Sequence, residues 1–414
     1  MLARFCLYSV FKNLRFADPF LVLYLLDLEC SYAEIGLLLG FERLVVAAFE
    51  VPSGVVADFW GRRKSVAACF LFYAASFLVF PMAADRAPGA RLAWLYAAAA
   101  LFALGEAMRT GGHKAIMLDW LDQRGESDRA TRVIAVTRSF SKASAAVSAA
   151  AGGLVLWKAR EYGVLFHLSA VSALAGFVLM LTYPAELEGE HARAGVGRKG
   201  GEPLRILPRF AGLAAAAGIL PLFLQSIVFE SQVKLLLDYY VQPFLKEGLE
   251  ARGVVILGAG ALWVGVNQLV NEGVGSAGAW FAPDFERRCG GAAPALRRAY
   301  LAVAALSVAI GACQLRGWMI AGLLALVGVT LLQNLRRPVF VGAFNRVMDK
   351  PHRATSLSIE SQARSLFAAG MLPVTGLVAD RWGLDAVFPM IAAVLLLGLL
   401  AGPRRRALAD RRAA

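Results

Sequence analysis

The sequence predicts an all-α integral membrane protein: twelve transmembrane helices in two six-helix bundles, with both termini in the cytoplasm. Three observations predict it. The chain is 58% hydrophobic, its basic residues gather in short loops between apolar runs, and a glycine–aspartate turn recurs along its length. That hydrophobic share exceeds the roughly 45–50% apolar content of soluble domains, and the mean hydropathy is +0.58.

A bilayer core about 30 Å thick requires ~20 mostly apolar residues per helix. Twelve such segments fall at 5–27, 33–57, 65–84, 92–119, 132–157, 162–183, 217–243, 253–282, 299–315, 317–346, 355–379 and 385–402. The longest polar stretch, 184–208, separates a first bundle over residues 1–183 from a second over 209–414, which ends in a basic tail. It reads as a cytoplasmic linker rather than a domain.

Orientation follows from lysine and arginine. The loops after the even-numbered segments carry Arg62/Arg63/Lys64, Arg124/Arg129/Arg132, Arg193/Arg198/Lys199/Arg205, Arg287/Arg288/Arg297/Arg298 and Lys350/Arg353. The odd-numbered loops carry only scattered bases. Basic loops remain on the cytoplasmic side, so an even helix count places both termini and the linker there, in the inner (plasma) membrane. The first segment, with Lys12, Arg15 and Asp18 and no plausible cleavage site, reads as a membrane helix rather than a removable signal.

The net charge of +13 is not gathered on one aromatic-flanked stripe, so nucleic acid is not an expected partner. Cys6, Cys30, Cys69, Cys289 and Cys313 are scattered without a ligand spacing, and neither a metal nor another cofactor is implied. No nucleophile elbow or HExxH motif appears, which argues against an enzyme.

The two halves echo each other. Gly54-Val-Val-Ala-Asp58-Phe-Trp-Gly61 closes the second segment and Gly376-Leu-Val-Ala-Asp380-Arg-Trp-Gly383 closes the eleventh, with looser versions after the fifth and eighth. Three-helix units recurring in this way match the nested repeats of secondary transporters.

Ionisable groups inside the spans complete the pattern. They are costly in hydrocarbon, at least ~2.5 kcal/mol each, and so mark functional positions by default. Segments 3, 9 and 12 have none in their cores and segment 6 has only His167, which suits helices that face lipid around a polar interior. The remaining segments supply the candidate substrate and proton pathway: Arg15, Asp18, Glu106, Arg109, His113, Arg138, Lys142, Glu230, Lys234, Asp238, Arg336, Glu360 and Arg364. On a regular helix Glu230, Lys234 and Asp238 would form one ladder, and Arg109/His113, Arg138/Lys142 and Glu360/Arg364 would share faces at i, i+4. Proline at 19, 221, 243 and 373 offers places where the helical ladder can open.

The loop Gly54-x-x-x-Asp58-x-x-Gly61-Arg62-Arg63 resembles the signature of the major facilitator superfamily, in a bacterial exporter-like form, with Phe59 where that family usually has a base. Arg109-Thr-Gly-Gly112 is similar to a pattern of proton-coupled members, and Asn345 to Ser358 resembles the family's junction between helices ten and eleven. The resemblance covers essentially the whole chain. It implies alternating access by two bundles around a mid-membrane site, with Gly54, Asp58, Gly61, Arg62 and Arg63 as a gating loop.

The leading expectation is a proton-coupled transporter of a small organic molecule, working as a monomer in the lipid bilayer, with efflux preferred. The proton would be carried by Asp18 beside Arg15 or by Glu106 beside Arg109. One alternative is proton-coupled uptake of an organic anion clamped by arginine. A second is a receptor that keeps the fold without transporting.

Overall fold

The computed structural model describes residues 1–110, 112–188, 220–347 and 353–400, with the side chains at 51, 58, 347 and 353–358 outside the description. The expected linker beyond Glu188, the basic tail and the carboxylate of Asp58 therefore lie outside the described residues. Among the described residues every regular element is helical. In chain order these are α1 (Leu2–Asn13), α2 (Leu21–Asp27), α3 (Tyr32–Trp60), α4 (Arg62–Val79), α5 (Pro88–Arg109), α6 (Gly112–Asp122), α7 (Ala130–Ala159) and α8 (Gly163–Leu181). They continue as α9 (Leu220–Lys234), α10 (Val241–Glu250), α11 (Ala261–Arg288), α12 (Ala292–Leu315), α13 (Met319–Val347), α14 (Arg353–Trp382) and α15 (Leu384–Leu400). Seven described stretches, including Arg62–Ala83, Gly163–Leu181 and Leu220–Glu250, combine the length and apolarity needed to cross a bilayer.

Several expected segments are not single regular helices, and three of the interruptions bear on the candidate charges. The first breaks after Asn13 and resumes through a 3₁₀ turn at Asp18–Phe20. Pro19 sits near the start of that turn, where its missing N–H has no helical partner to lose. The fourth breaks at Thr110, whose ψ of 122° ends α5 before α6 starts at Gly112. Arg109 and His113 are thus carried on different helices, and the shared face expected for them is not formed. In the seventh, residues Leu235–Tyr240 widen into a π turn upstream of Pro243. The extra residue per turn displaces the i, i+4 register beyond Lys234.

The chain groups into two compact units. One comprises residues 1–28, 41–203 and 255–269, the other 29–40, 204–254 and 270–414. In the first, α4 packs against α5 and α8, and α1 against α7. In the second, α12 packs against α13 and α15, and α9 against α14. The packing leaves apolar stripes uncovered: Val171, Leu174, Val178 and Leu181 on α8, and Leu396, Leu397 and Leu400 on α15, are exposed. Apolar stripes at helical spacing suit a hydrocarbon surround.

Within the second unit the start of α3 crosses α14 closely enough to exclude side chains. A Cβ on Gly376 would lie 2.3 Å from the Tyr32 carbonyl oxygen, and one on Gly36 would lie 2.4 Å from that of Leu372. Small residues of this kind let helix backbones approach in membranes. Asp380 then accepts from the backbone N–H groups of Tyr32 (2.9 Å) and Ala33 (2.8 Å), capping the first turn of α3.

Candidate functional site

Two buried charged clusters, one in each unit, are the chemically distinctive features of the described residues. The first gathers on the break after α1 and the end of α5. Arg15 lies in the irregular backbone between Asn13 and Asp18, which frees it from a helix face. Its Nη2 donates to Glu106 Oε1 at 2.6 Å, and the Tyr73 hydroxyl donates to the same oxygen at 2.6 Å. The other oxygen, Oε2, accepts from Arg109 Nη2 at 2.6 Å, while Arg109 Nε donates to the Tyr73 oxygen at 3.1 Å. One carboxylate is therefore held between two guanidinium groups. The Arg15 guanidinium also lies over the rings of Tyr73 (4.5 Å) and Phe102 (4.8 Å), an arrangement that suits a weakly hydrated planar cation. Asp18 touches this group from its edge, 3.6 Å from Arg15 Nη1, with 44% of its side chain exposed.

The second cluster draws on α9, α13 and α14. Arg336 and Arg337 are consecutive, so they leave the helix in different directions and donate to different acids, although Arg337 also lies 3.8 Å from Glu230. Arg336 Nη1 donates to Glu230 Oε1 at 2.9 Å beneath the Phe229 ring, 4.1 Å away. Arg337 forms a two-pronged pair with Glu360, at 3.0 and 3.1 Å, and Ser226 donates a further 3.0 Å bond to that carboxylate. Arg364 completes the group. Its carboxylate neighbours, Glu360 and Glu230, are 3.8 and 3.9 Å away, and its Nη2 donates to Ser361 at 3.0 Å.

The structure thus brings together Arg15, Asp18, Glu106 and Arg109 in one unit, and Glu230, Arg336, Glu360 and Arg364 in the other. It does not gather the remaining candidates with them. His113 stacks on Tyr8 at 3.4 Å between ring centroids and meets the Tyr183 hydroxyl at 3.1 Å, in an aromatic box with Phe5. Arg138 is exposed on α7, and Lys142 lies one turn further along that helix. The expected Glu230–Lys234–Asp238 ladder is divided: Lys234 reaches Asp238 at 3.7 Å across the π turn, whereas Glu230 turns to Arg336. Sequence reasoning passed over Tyr73, although a tyrosine in a segment without charges must place its hydroxyl on some partner. Nor was Arg337, the neighbour of Arg336, among the selected candidates.

The glycine-rich loop is tied down locally. Gly61 has φ 109°, a left-handed conformation that favours glycine, and a Cβ there would collide with the Glu188 carboxylate. Arg62 pairs with Asp119 at 2.5 Å. Arg63 donates to Glu188 at 2.9 Å and to the Tyr183 carbonyl at 2.8 Å. Gly54 has open space around its Cβ position.

Comparison with known proteins agrees with this architecture. A family model described as Major Facilitator Superfamily matches residues 1–359. A curated relative, an uncharacterised MFS-type transporter, YxaM, of Bacillus subtilis (strain 168), is 30% identical over 112 residues. That match spans 27% of this chain and about a quarter, 26%, of the relative's length. Among solved structures, a variant of the nucleoside transporter NupG superposes with a TM-score of 0.75 at 14% identity, covering 97% of this chain and 98% of that one. A D-xylose–proton symporter gives 0.71 at 11% identity over 98% of both chains. A peptide transporter bound to sulfate gives 0.68 at 16% identity, over 99% of this chain and 94% of that one. Identities this low establish a common fold and nothing finer.

Proposed function

Because the chain belongs to the major facilitator superfamily, and is therefore a membrane transporter rather than an enzyme, we propose that it moves a small organic molecule by alternating access, coupled to protons, with export preferred. The observation that carries this reading is Glu106 held between Arg15 and Arg109 beside a break in the first span. An ion network of this kind, on segments otherwise rich in apolar residues, is expensive to place in a membrane and is retained where charge must change during work.

In this mechanism Asp18 exchanges the proton. It is half-exposed and touched by Arg15 at 3.6 Å, whereas Glu106 is held by three donors at 2.6 Å. Neutralising Asp18 leaves Arg15 with Glu106 alone, and the irregular backbone after α1 lets Arg15 shift without straining a helix. Substrate and proton are thereby linked through one guanidinium. Each needs differential affinity for the two access states to drive the exchange between them.

The distribution of lysine and arginine supports twelve spans in the plasma membrane with both termini and the linker in the cytoplasm. The preference for export rests on the resemblance of the Glu50–Lys64 loop to exporter-like members. Arg62 and Arg63, paired with Asp119 and Glu188, are assigned to opening and closing that end rather than to substrate.

Reconstitution tests the reading. Ligands that raise the melting temperature of the purified protein would be followed in proteoliposomes under imposed pH gradients. Transport should follow the gradient in the unmodified protein and lose its proton dependence in Asp18→Asn and Arg109→Ala. Unchanged, proton-dependent transport in both variants would overturn the site assignment.

A further inference from the structure

The cluster on α9, α13 and α14 carries more positive than negative charge. Guanidinium groups stay protonated in proteins, so Arg336, Arg337 and Arg364 contribute three positive charges against the two carboxylates of Glu230 and Glu360. No further carboxylate lies within ion-pair distance of these arginines among the described residues. The three are also unequally used. Arg337 spends its fork on Glu360. Arg336 is fully buried with its Nε and Nη2 unpartnered, so it acts as a fixed positive charge behind Glu230. Arg364 is 3.8 Å or more from either acid, is anchored through one nitrogen to Ser361, and keeps 23% of its side chain exposed.

An exposed guanidinium edge with a loose ionic partner, set against a surplus of buried positive charge, is the arrangement that receives an anion. We infer that this cluster binds one anionic group of the transported molecule, a carboxylate or a phosphate, with Arg364 as the anchor and the exposed side of Arg337 next to it. The geometry explains the division of labour. A planar anion can take two parallel N–H donors from Arg364 without displacing Glu360 from Arg337. The buried charge of Arg336, which shares Glu230 with Arg337 and Arg364, strengthens the attraction through a medium of low dielectric. Glu230 and Glu360 limit the excess to a single charge. This inference names the substrate class of the proposed transporter and so rests on that reading.

Three matched probes test it with the full-length purified protein: benzoate, phenyl phosphate and the uncharged benzamide, titrated calorimetrically at constant ionic strength. At least one of the two anions should bind more tightly than benzamide, and the tighter of them identifies the group. Arg364→Gln should weaken that anion about 10- to 100-fold, the loss expected for one charge-assisted pair. Arg364→Lys, which keeps the charge but not the fork, should fall between. Arg129→Gln, an exposed change elsewhere, should leave binding as it was. Melting curves without probe establish that each variant is folded, and if Arg364→Gln does not fold, Arg364→Lys carries the test. Equal binding of all three probes, no binding of either anion, or anion binding indifferent to both Arg364 variants would overturn the inference.

The proteoliposome assay separates the two ideas. Gradient-driven movement of a neutral solute, together with no preference for anions, leaves transport standing and removes the anion subsite. Anion binding lost in Arg364→Gln, with no solute moving under any gradient, does the reverse.

Discussion

The cluster around Glu106 and the cluster around Glu360 are made from the same side chains, arginine against glutamate, on backbones of different kinds. Arg15 issues from an interrupted segment and Arg109 from the last residue of a helix. Arg336, Arg337, Glu360 and Arg364 issue from the interiors of α13 and α14, whose helices run without interruption past them. In the first cluster one carboxylate holds two cations, and both its oxygens are occupied at 2.6 Å. In the second, two carboxylates face three cations and one cation is loosely held. The difference teaches that the same residue types serve a saturated carboxylate in one place and a surplus of guanidinium in the other. The proton-linked change is assigned to the cluster built on an interrupted segment, and the recognition of charge to the cluster built on α13 and α14.

The comparison can be broken most directly at Glu106. Glu106→Gln leaves Arg15 and Arg109 without a shared negative charge, and removing one partner of a buried pair costs about 3–5 kcal/mol. The variant should melt well below the unmodified protein and show no gradient-driven transport; a near-normal melting curve would mean that the two arginines are held by something else. Glu360→Gln should cost less, about 2–3 kcal/mol, because Glu230 remains to offset part of the charge. Its melting temperature should fall between those of Glu106→Gln and the unmodified protein. If it fell further than Glu106→Gln, the second cluster would be the more tightly integrated one.

Arg336→Met sharpens the contrast from the other side. The side chain is fully buried with two unpartnered nitrogens, so an apolar residue of similar length recovers packing while losing the bond to Glu230. Removing one partner of a buried pair is costly, but Arg337 and Arg364 remain 3.8 and 3.9 Å from Glu230, so a loss of about 1–2 kcal/mol is expected. A loss of several kcal/mol would show that Arg336 is an anchor of the fold. Asp18→Asn should have the smallest effect on stability, under about 0.5 kcal/mol, because a half-exposed pair at 3.6 Å contributes little. Its effect should instead appear as transport that no longer responds to pH.

Much of this was legible before any coordinates. The apolar segments, the uncharged helices with lipid-like stripes and the break near Asp18-Pro19 follow from composition and from proline's missing donor. The membership of the two clusters was only half legible. Glu106 and Arg109 sit three residues apart, so their pairing is local, and Glu360 and Arg364 are likewise neighbours on one helix face. That Arg15 reaches Glu106, 91 residues away, could not be read from spacing. Nor could the choice of Arg336 over Lys234 by Glu230, because Arg336 comes from a helix 106 residues along the chain. On a continuous helix His113 would be a partner of Arg109, but the break at Thr110 separates them and the ring enters aromatic packing instead.

The sequence by itself determined that this chain lives in a membrane and which segments carry charge. Those properties depend on residue type and short-range spacing, which the chain states directly. The tertiary structure alone decided which acid faces which base, which guanidinium is left with donors to spare, and that Tyr73 joins Glu106. Ion pairing falls off steeply with distance and orientation, so a shift of one helical turn changes the partner, and only the packed helices set that register.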